Sequence, residues 1–221
     1  MIADKKLSVV IPVYNAENHI ENTIQELVSF FFNHQISYEI ILVNDNSTDA
    51  TLTILHTLAN KNNVIKVINN TINIGQDSST LIGVKATKFQ TILIIDDDFE
   101  FPKESILQLI DLQTLKNADV VYGIPIHNKS NFIRKISHNF SHAFIKLIGF
   151  SDASNYKLIT GNIVSKLRNL EVDKNVNIDK FLLKNSMNIQ LIDIENIPNN
   201  HSRYNFRKLV VKTLNFIFYS K

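Results

Sequence analysis

The stretch TILIIDDDFEFP, residues 91–102, places an apolar run directly before three consecutive acidic residues, Asp96, Asp97 and Asp98. The apolar part is typical of a buried strand. Like charges about 6 Å apart repel by about 3 kcal/mol at an effective dielectric constant near 20, so a folded protein keeps such a cluster where water or a cation surrounds it. The stretch therefore predicts a buried strand that ends in a solvated acidic turn or in a cation site.

Strands and helices alternate on both sides of this stretch. The predicted strands cover residues 7–13, 38–43, 64–68, 91–95 and 120–124, and the predicted helices cover residues 16–33, 49–59, 77–87 and 105–115. Ser47 or Asp49 is the expected cap of the second helix. Alternation at this rhythm is typical of βαβ units, so we expect an α/β fold with a mostly parallel central sheet flanked by helices.

The second half of the chain is less regular. Its predicted elements are a helix over residues 132–150, a strand over 156–160, helices over 162–170 and 179–185, and a strand over 190–194. We expect residues 1–200 to form one domain. Residues 201–221 are basic and amphipathic, which favours contact with a membrane surface, and the alternative is a helix packed on the domain or on a second subunit.

The composition excludes several classes of function. The 221 residues carry a formal net charge of +2, which is too small to argue for nucleic-acid binding. The chain has no cysteine, which excludes a disulfide framework and a thiolate metal site. No window reaches the roughly 18 apolar residues that a membrane-spanning helix needs.

Polar clusters follow the first four predicted strands, and their sequences are PVYNAE, NDNSTD, NNTINIGQD and DDDFEF. Ligands of open α/β sheets bind outside the carboxyl ends of the strands. One such cluster alone favours an ordinary polar loop. Four clusters at the same edge of a sheet indicate a ligand site.

The residue types in these clusters suit a nucleotide and a divalent cation. Asp96 and Asp98 share a face if the segment is extended, with Asp97 on the other face, and their oxygens suit Mg²⁺ or Mn²⁺. Asp45 follows an apolar strand and suits an N–H group of a nucleobase, while Tyr14 suits stacking on that base. The alternatives are a solvated acidic turn for the trio and a helix-capping role for Asp45.

Four blocks, in this order and spacing, resemble family-2 glycosyltransferases of the GT-A fold: SVVIPVYNAENHIENTI, EIILVNDNSTDAT, NIGQDSSTLIGVKAT and ILIIDDDFEFPKESI. The middle two blocks and DDDFEFPKE are similar to the branch that transfers sugars to polyprenyl phosphates, such as dolichyl-phosphate mannose synthases and bacterial undecaprenyl-phosphate glycosyltransferases. The resemblance continues through FIRKISHNFSHAFIKLIGFSDASNYKLIT and HSRYNFRKLVVKTLN. It covers nearly the whole chain and is strongest over residues 7–105.

The resemblance implies roles for individual residues. Donor-binding positions are Pro12, Tyr14, Glu17, Asp45, Gln76 and Asp96, and Asp45 contacts the base. Asp96 and Asp98 hold Mg²⁺ or Mn²⁺ against the diphosphate. Catalytic positions are Asp97, Asp98, Glu100, Arg134 and Lys157, of which Glu100 lies near the sugar or the acceptor phosphate, and Arg134 and Lys157 meet the lipid phosphate.

The chain departs from this branch at several positions. Asn44-Asp45-Asn46 replaces the frequent Asp-Asp-Gly, and Glu100 stands where the branch commonly has Gln. Lys157 replaces the usual Arg, which keeps the charge but loses bidentate phosphate geometry. The membrane helices that usually follow do not occur before Lys221. These departures affect the prediction of the acceptor more than the prediction of the donor.

The expected function is inverting, metal-dependent transfer of a sugar from a nucleotide-diphosphate sugar, with UDP as the default nucleotide, to undecaprenyl phosphate. The expected location is the cytoplasm, peripherally on the inner face of the cell membrane, with no nucleic-acid partner and with a homo-oligomer as one option. One alternative is transfer to a hydroxyl group of a glycan or protein, with Asp97 or Glu100 as the first candidates for the base. Two alternatives of other classes are a nucleotide-sugar-binding module without turnover and, with less support, a nucleotidyltransferase.

Overall fold

The computed structural model describes residues 6–125 and 155–194 of the chain. The strands are β1 Lys6–Val13, β2 Ser37–Asn44, β3 Ile65–Asn69, β4 Thr91–Ile94, β5 Val120–Pro125, β6 Lys157–Thr160 and β7 Ile189–Ile194, and the helices are α1 Ile20–Asn33, α2 Thr51–Lys61, α3 Gln76–Ala86, α4 Glu104–Lys116, α5 Asn162–Arg168 and α6 Ile178–Asn185. Nearly all of these elements begin and end within two residues of their predicted bounds. The predicted helix 132–150, the position Arg134 and the segment 201–221 lie outside the described residues.

The strands form one sheet of order β3-β2-β1-β4-β6-β5-β7 within the described part of the chain. Strands β1 to β4 pair in parallel, and β5 pairs in parallel with β7. Strand β6 runs antiparallel to both of its neighbours, β4 and β5. The predicted α/β fold with a mostly parallel sheet is therefore confirmed, with β6 as the antiparallel exception.

Helices cover both faces of the sheet. The apolar side chains of α1, α2 and α4 pack against one face, and those of α3, α5 and α6 pack against the other. Consecutive strand residues such as Val9 and Val10 point to opposite faces and are both fully buried. This explains why the strands read as continuous apolar runs, since a strand covered on both sides has no solvent-facing position.

Two helix starts differ from their predictions. Helix α1 was expected from residue 16 but begins at Ile20, because Asn15 has a left-handed φ of 51° and donates its N–H to Ser47 Oγ. Ala50, and neither Ser47 nor Asp49, is the N-cap residue of α2. Asp49 Oδ1 instead accepts the N–H of Thr51 inside the first turn.

None of the helices in residues 6–125 and 155–194 combines the length and the apolar character needed to cross a bilayer.

The sheet brings the four polar clusters to one edge. Because β1 to β4 are parallel, the loops after their carboxyl ends are neighbours. Strand β6 is antiparallel, so its first residue, Lys157, pairs with Ile94 at that same edge. Residues that are distant in sequence, including Asn155 and Lys157, therefore lie beside the acidic trio.

Candidate active site

Asp96 is the first residue of the acidic trio, and two side-chain amides hold its carboxylate. Gln76 Nε2 donates to Asp96 Oδ1 at 2.6 Å, and Asn155 Nδ2 donates to the same oxygen at 2.8 Å. The pKa of Asp96 is raised to about 6, mainly by burial and also by the charges of Asp98 and Asp97, while the Asn155 hydrogen bond opposes this rise. Asp96 is thus a fixed carboxylate whose anionic form favours a nearby positive charge.

Asp97 points away from Asp96, towards the loop that follows β1. Its Oδ2 accepts the backbone N–H of Tyr14 at 3.2 Å, and its Oδ1 lies 3.4 Å from His19 Nε2. Burial and the charge of Asp98 raise the pKa of Asp97, while the Tyr14 N–H and His19 oppose that rise. Asp97 therefore ties the loop after β1 to the acidic turn.

Asp98 has no hydrogen bond or ion pair within residues 6–125 and 155–194, although its charge acts on both neighbouring carboxylates. Asp97 and Asp98 lie in a turn, so strict strand alternation does not extend to Asp98. No group of three or more His, Cys, Asp or Glu residues in the described ranges is arranged to hold a metal ion. Two carboxylates nevertheless fit Mg²⁺ or Mn²⁺, because such ions usually take one or two carboxylates plus substrate phosphates.

Asp45 is almost completely buried, with 4% of its surface exposed, at the end of β2. Its Oδ1 accepts from Asn70 Nδ2 at 3.0 Å and from the N–H of Ile74 at 2.9 Å, and its Oδ2 accepts the N–H of Gly75 at 2.8 Å. An ionised carboxylate offers about four acceptor positions, so one position remains for a base N–H group. The contact between Asp45 and a base stays a prediction.

The other predicted donor residues lie around Asp45. Pro12 is buried within β1, and Tyr14 is 48% exposed at the start of the next loop. Glu17 is exposed, and its Oε2 accepts the backbone N–H of Ala50 at 2.8 Å. These contacts brace the loop after β1 against the loop after β2, and they leave the Tyr14 ring accessible for stacking.

Lys157 lies below the surface of the site, with 1% of its side chain exposed. Its ammonium group is 2.5 Å from Asp179 Oδ1 and 5.5 Å from the centre of the Tyr122 ring. Tyr122 Oη donates to the same Asp179 oxygen at 3.0 Å. The positive charge of Lys157 also lowers the pKa of Asp96. The predicted contact of Lys157 with an acceptor phosphate stays a prediction, and the described partner of this lysine is Asp179.

Two predicted positions remain, Glu100 and Arg134. Glu100 is exposed just after the acidic turn. Arg134 lies outside the described residues, so its expected place beside an acceptor phosphate stays a prediction.

Sequence reasoning missed Asn70, Asn155, Asp179 and His19. Asp179 is the second residue of α6 and looks like an ordinary acidic residue of a first helical turn. Asn155 precedes β6 by two residues, and no local pattern connects it with Asp96, 59 residues earlier. One signal could have pointed to Asp179. A lysine at the start of a buried strand, such as Lys157, needs an acidic partner nearby to balance its charge.

Comparisons with known proteins agree with this fold. The profile of the family described as "Glycosyl transferase family 2" matches residues 8–174, that is 167 of the 221 residues. An undecaprenyl-phosphate 4-deoxy-4-formamido-L-arabinose transferase of Yersinia enterocolitica is 31% identical over 144 residues, which are 64% of this chain and 43% of that protein. The chain spans about two fifths of the length of several curated relatives that it matches, namely 37%, 40% and 43%.

Two solved structures have similar folds. S. aureus TarS 1–349 in complex with UDP-GlcNAc gives a TM-score of 0.61 at 19% identity, covering 96% of this chain and 67% of that one. The mannosyltransferase PcManGT from Pyrobaculum calidifontis, in complex with GDP-Man and Mn²⁺, gives 0.64 at 11% identity, covering 96% and 61%. At these identities the likeness concerns the fold alone. Together with the family match over three quarters of its length, it shows that the chain belongs to glycosyl transferase family 2 and has the GT-A fold.

Proposed function

We propose that the protein transfers a sugar from a nucleotide-diphosphate sugar to a polyprenyl phosphate in a reaction that depends on a divalent cation and inverts the anomeric centre. The observation that carries the proposal is the position of the acidic trio. Asp98 has no hydrogen bond or ion pair within the described residues. The side-chain amides of Gln76 and Asn155 hold Asp96 next to it in the acidic turn. Asp96 and Asp98 both lie at the same edge of the sheet as Asp45, which follows β2.

The nucleotide is proposed to bind across the ends of β1 and β2. The Asp45 carboxylate is buried and retains one acceptor position for a base N–H, and Tyr14 has an exposed ring in the loop after β1. The two solved structures of similar fold are complexes with UDP-GlcNAc and with GDP-Man. UDP is our default nucleotide because the resemblance is to bacterial undecaprenyl-phosphate transferases.

Asp96 and Asp98 are proposed to hold Mg²⁺ or Mn²⁺ next to the diphosphate. A bound cation supplies charge neutralisation for the leaving diphosphate. The protein's own contribution is geometric, since Gln76 and Asn155 hold Asp96 in place before the donor arrives and so reduce the reorganisation needed during the reaction. PcManGT, which has the same fold, was solved with Mn²⁺.

The acceptor is proposed to be the phosphate of a polyprenyl phosphate, undecaprenyl phosphate in a bacterium. A phosphate oxygen is anionic at neutral pH, so attack on the anomeric carbon needs no strong general base. Attack from the side opposite the diphosphate inverts that carbon. The curated relative from Yersinia enterocolitica is named for this acceptor. We further propose that residues 201–221 contact the membrane that holds the lipid.

A binding screen tests the donor and the metal. The full chain is heated with UDP-sugars or GDP-mannose, each with and without Mn²⁺. A ligand that binds only the folded state raises the melting temperature, and at 100 times its Kd it adds about 2.7 kcal/mol of stability. We expect a shift with a UDP-sugar that is larger with Mn²⁺. Equal shifts with and without the metal would contradict metal dependence.

An acceptor assay tests the second half of the proposal. The full chain receives the preferred labelled donor, Mn²⁺, and either undecaprenyl phosphate in detergent or soluble glycans. Transfer to the lipid alone supports the proposal. Transfer only to a glycan hydroxyl would replace it with the second candidate.

That second candidate is transfer to a hydroxyl group, and the geometry of Asp179 favours it. Lys157 and Tyr122 both bind Asp179 Oδ1, while Oδ2 has no hydrogen bond within the described residues. Asp97 is engaged by Tyr14 and His19, so Asp179, with its free Oδ2 in the described residues, is a further candidate for the base that removes a hydroxyl proton. An Asp179→Asn change that abolishes transfer to a hydroxyl acceptor, while donor binding persists, would support this candidate.

A further inference from the structure

The loop of residues 70–75 connects the predicted base site with the acidic trio. At one side, the N–H groups of Ile74 and Gly75 donate to the Asp45 carboxylate at 2.9 and 2.8 Å. The residue that follows the loop, Gln76, donates to Asp96 Oδ1 at 2.6 Å. One short segment of chain thus joins two carboxylates that are 51 residues apart in sequence.

No side chain of the loop itself holds its C-terminal end, Gly75, in place. Gly75 is the N-cap residue of α3, where it makes no side-chain hydrogen bond, and its φ is +90°. A Cβ at Gly75 would meet nothing within 4 Å, so the backbone conformation and not a lack of space requires glycine. Asp45 Oδ2 accepts the N–H of Gly75, which holds this residue from outside the helix.

Asn70 forms a second link between Asp45 and the same helix. Its side chain is buried, and Nδ2 donates both to Asp45 Oδ1 at 3.0 Å and to Ser79 Oγ of α3 at 2.9 Å. The backbone N–H of Asn70 donates to the carbonyl of Asn44, the residue before Asp45. Both ends of the loop therefore depend on the Asp45 region.

We infer that Asp45 is a positioning residue for the metal site, in addition to any contact with the nucleobase. Its carboxylate fixes the 70–75 loop, the loop places Gln76 at the start of α3, and Gln76 orients Asp96. The inference rests on the proposed metal dependence, because it concerns the carboxylate proposed to hold the cation. Asp45→Asn replaces one acceptor oxygen with an NH₂ group, which faces a backbone N–H and removes one of the two loop bonds.

The experiment measures Mn²⁺ binding to the full chain by the EPR signal of free Mn²⁺, at UDP concentrations that saturate each variant. At saturation, UDP is bound both before and after Mn²⁺ binds. A lost contact with the base therefore does not by itself change the measured Mn²⁺ affinity. We expect Asp45→Asn and Gln76→Ala each to weaken Mn²⁺ binding about tenfold or more, as for loss of a charge-assisted hydrogen bond. The double variant should bind Mn²⁺ about as tightly as the more strongly affected single variant, because both changes break the same chain of contacts.

Asp119→Asn is the matched control. Asp119 Oδ2 accepts the N–H groups of Met187 and Asn188 at 2.8 and 3.0 Å, so the same chemistry holds a turn at the opposite edge of the sheet. We expect this variant to lose stability and to keep the Mn²⁺ affinity of the unchanged protein. If Asp45→Asn does not fold, Asn70→Ser replaces it, and it should also weaken Mn²⁺ binding.

Two results separate the inference from the proposed function. If Asp45→Asn weakens UDP binding but leaves the Mn²⁺ affinity of the UDP complex unchanged, Asp45 is a base contact only, and the inference is wrong while the function stands. The same holds if the effects of Asp45→Asn and Gln76→Ala add independently. If the unchanged protein with UDP binds no Mn²⁺, the proposed metal dependence fails and the inference fails with it.

Discussion

The Lys157 ammonium group lies 2.5 Å from Asp179 Oδ1 at the floor of the site, where the Tyr122 hydroxyl donates to the same oxygen. Lys157 is the first residue of β6, and Asp179 belongs to the first turn of α6. The pair therefore joins the antiparallel strand to a helix on the face of the sheet that carries α3. A buried charge pair adds little net stability, but removing one member leaves the other charge without compensation.

Lys157→Met is expected to lower the free energy of unfolding by about 3 kcal/mol, because it leaves the Asp179 carboxylate without its cation. Urea denaturation followed by circular dichroism measures this change. The double variant Lys157→Met with Asp179→Leu should recover a large part of the loss, since both charges are then absent. A single variant as stable as the unchanged protein would show that water already solvates Asp179.

Asp98→Asn is expected to lower the rate of sugar transfer by a factor of about 100 or more, because it removes a charge proposed to hold the cation at the leaving group. Its melting temperature should stay close to that of the unchanged protein, since Asp98 has no hydrogen bond within the described residues. Initial rates at saturating donor and varied Mn²⁺ provide the measurement. Asp111→Asn, at an exposed position of α4, is the control. Near-normal rates for Asp98→Asn would rule out this role for Asp98.

Asp96 makes the stability of the metal-free protein depend on pH. The folded-state pKa is about 6, which is above the unfolded value near 3.9, so the folded state binds this proton more tightly. Below pH 3.9 both states are protonated and Asp96 carries no penalty; as the pH rises towards and past 6, the contribution of Asp96 falls by about 3 kcal/mol. Asp96→Asn should therefore stabilise the metal-free protein at pH 7 and leave it little changed at pH 4.

The measurement for Asp96→Asn is the free energy of unfolding in urea at both pH values with EDTA present. Asn keeps an oxygen that accepts from Gln76 and Asn155, so the two hydrogen bonds survive the change. Asp111→Asn serves again as the comparison, because it changes the net charge equally at an exposed position. Equal stability gains for both variants would assign the effect to overall charge.

Gly83→Ala is expected to lower the free energy of unfolding by about 1–2 kcal/mol, although alanine favours helices. Gly83 lies in α3, and a Cβ there would lie closer than van der Waals distance to Val10 Cγ1 of β1 and 3.1 Å from Val43 Cγ2 of β2. Overpacking of a core costs about 1–3 kcal/mol, which outweighs a helix-propensity gain of about 1 kcal/mol. Thermal and urea unfolding measure the change.

Adding Val10→Ala to Gly83→Ala provides the test of that cause, because it removes the methyl group that the new Cβ meets. The double variant should lose less stability than the two single variants together predict. Additive losses would place the strain of Gly83→Ala elsewhere in α3.

Most of the secondary structure could be predicted from local patterns. Strands such as β1 and β2 are continuous apolar runs because helices cover both faces, and their carboxyl ends carry the polar clusters that mark the site. Helix starts were harder to predict. Asp49 and Ser47, the expected caps of α2, instead accept backbone N–H groups of Glu17 and Asn15 in the loop after β1. The antiparallel direction of β6 has no local signature, since a four-residue strand reads the same in either direction.

The amino-acid sequence alone determined the strand and helix order, the apolar faces and the acidic trio, because hydrophobic periodicity and residue chemistry are local properties. Only the tertiary structure decided which partner each charged group meets. Asp96 is bound by residues that lie 20 positions before it and 59 positions after it, and Lys157 is buried against Asp179. Such pairings follow from sheet topology and helix packing, which bring distant segments within hydrogen-bonding distance and exclude the water that would otherwise solvate these charges.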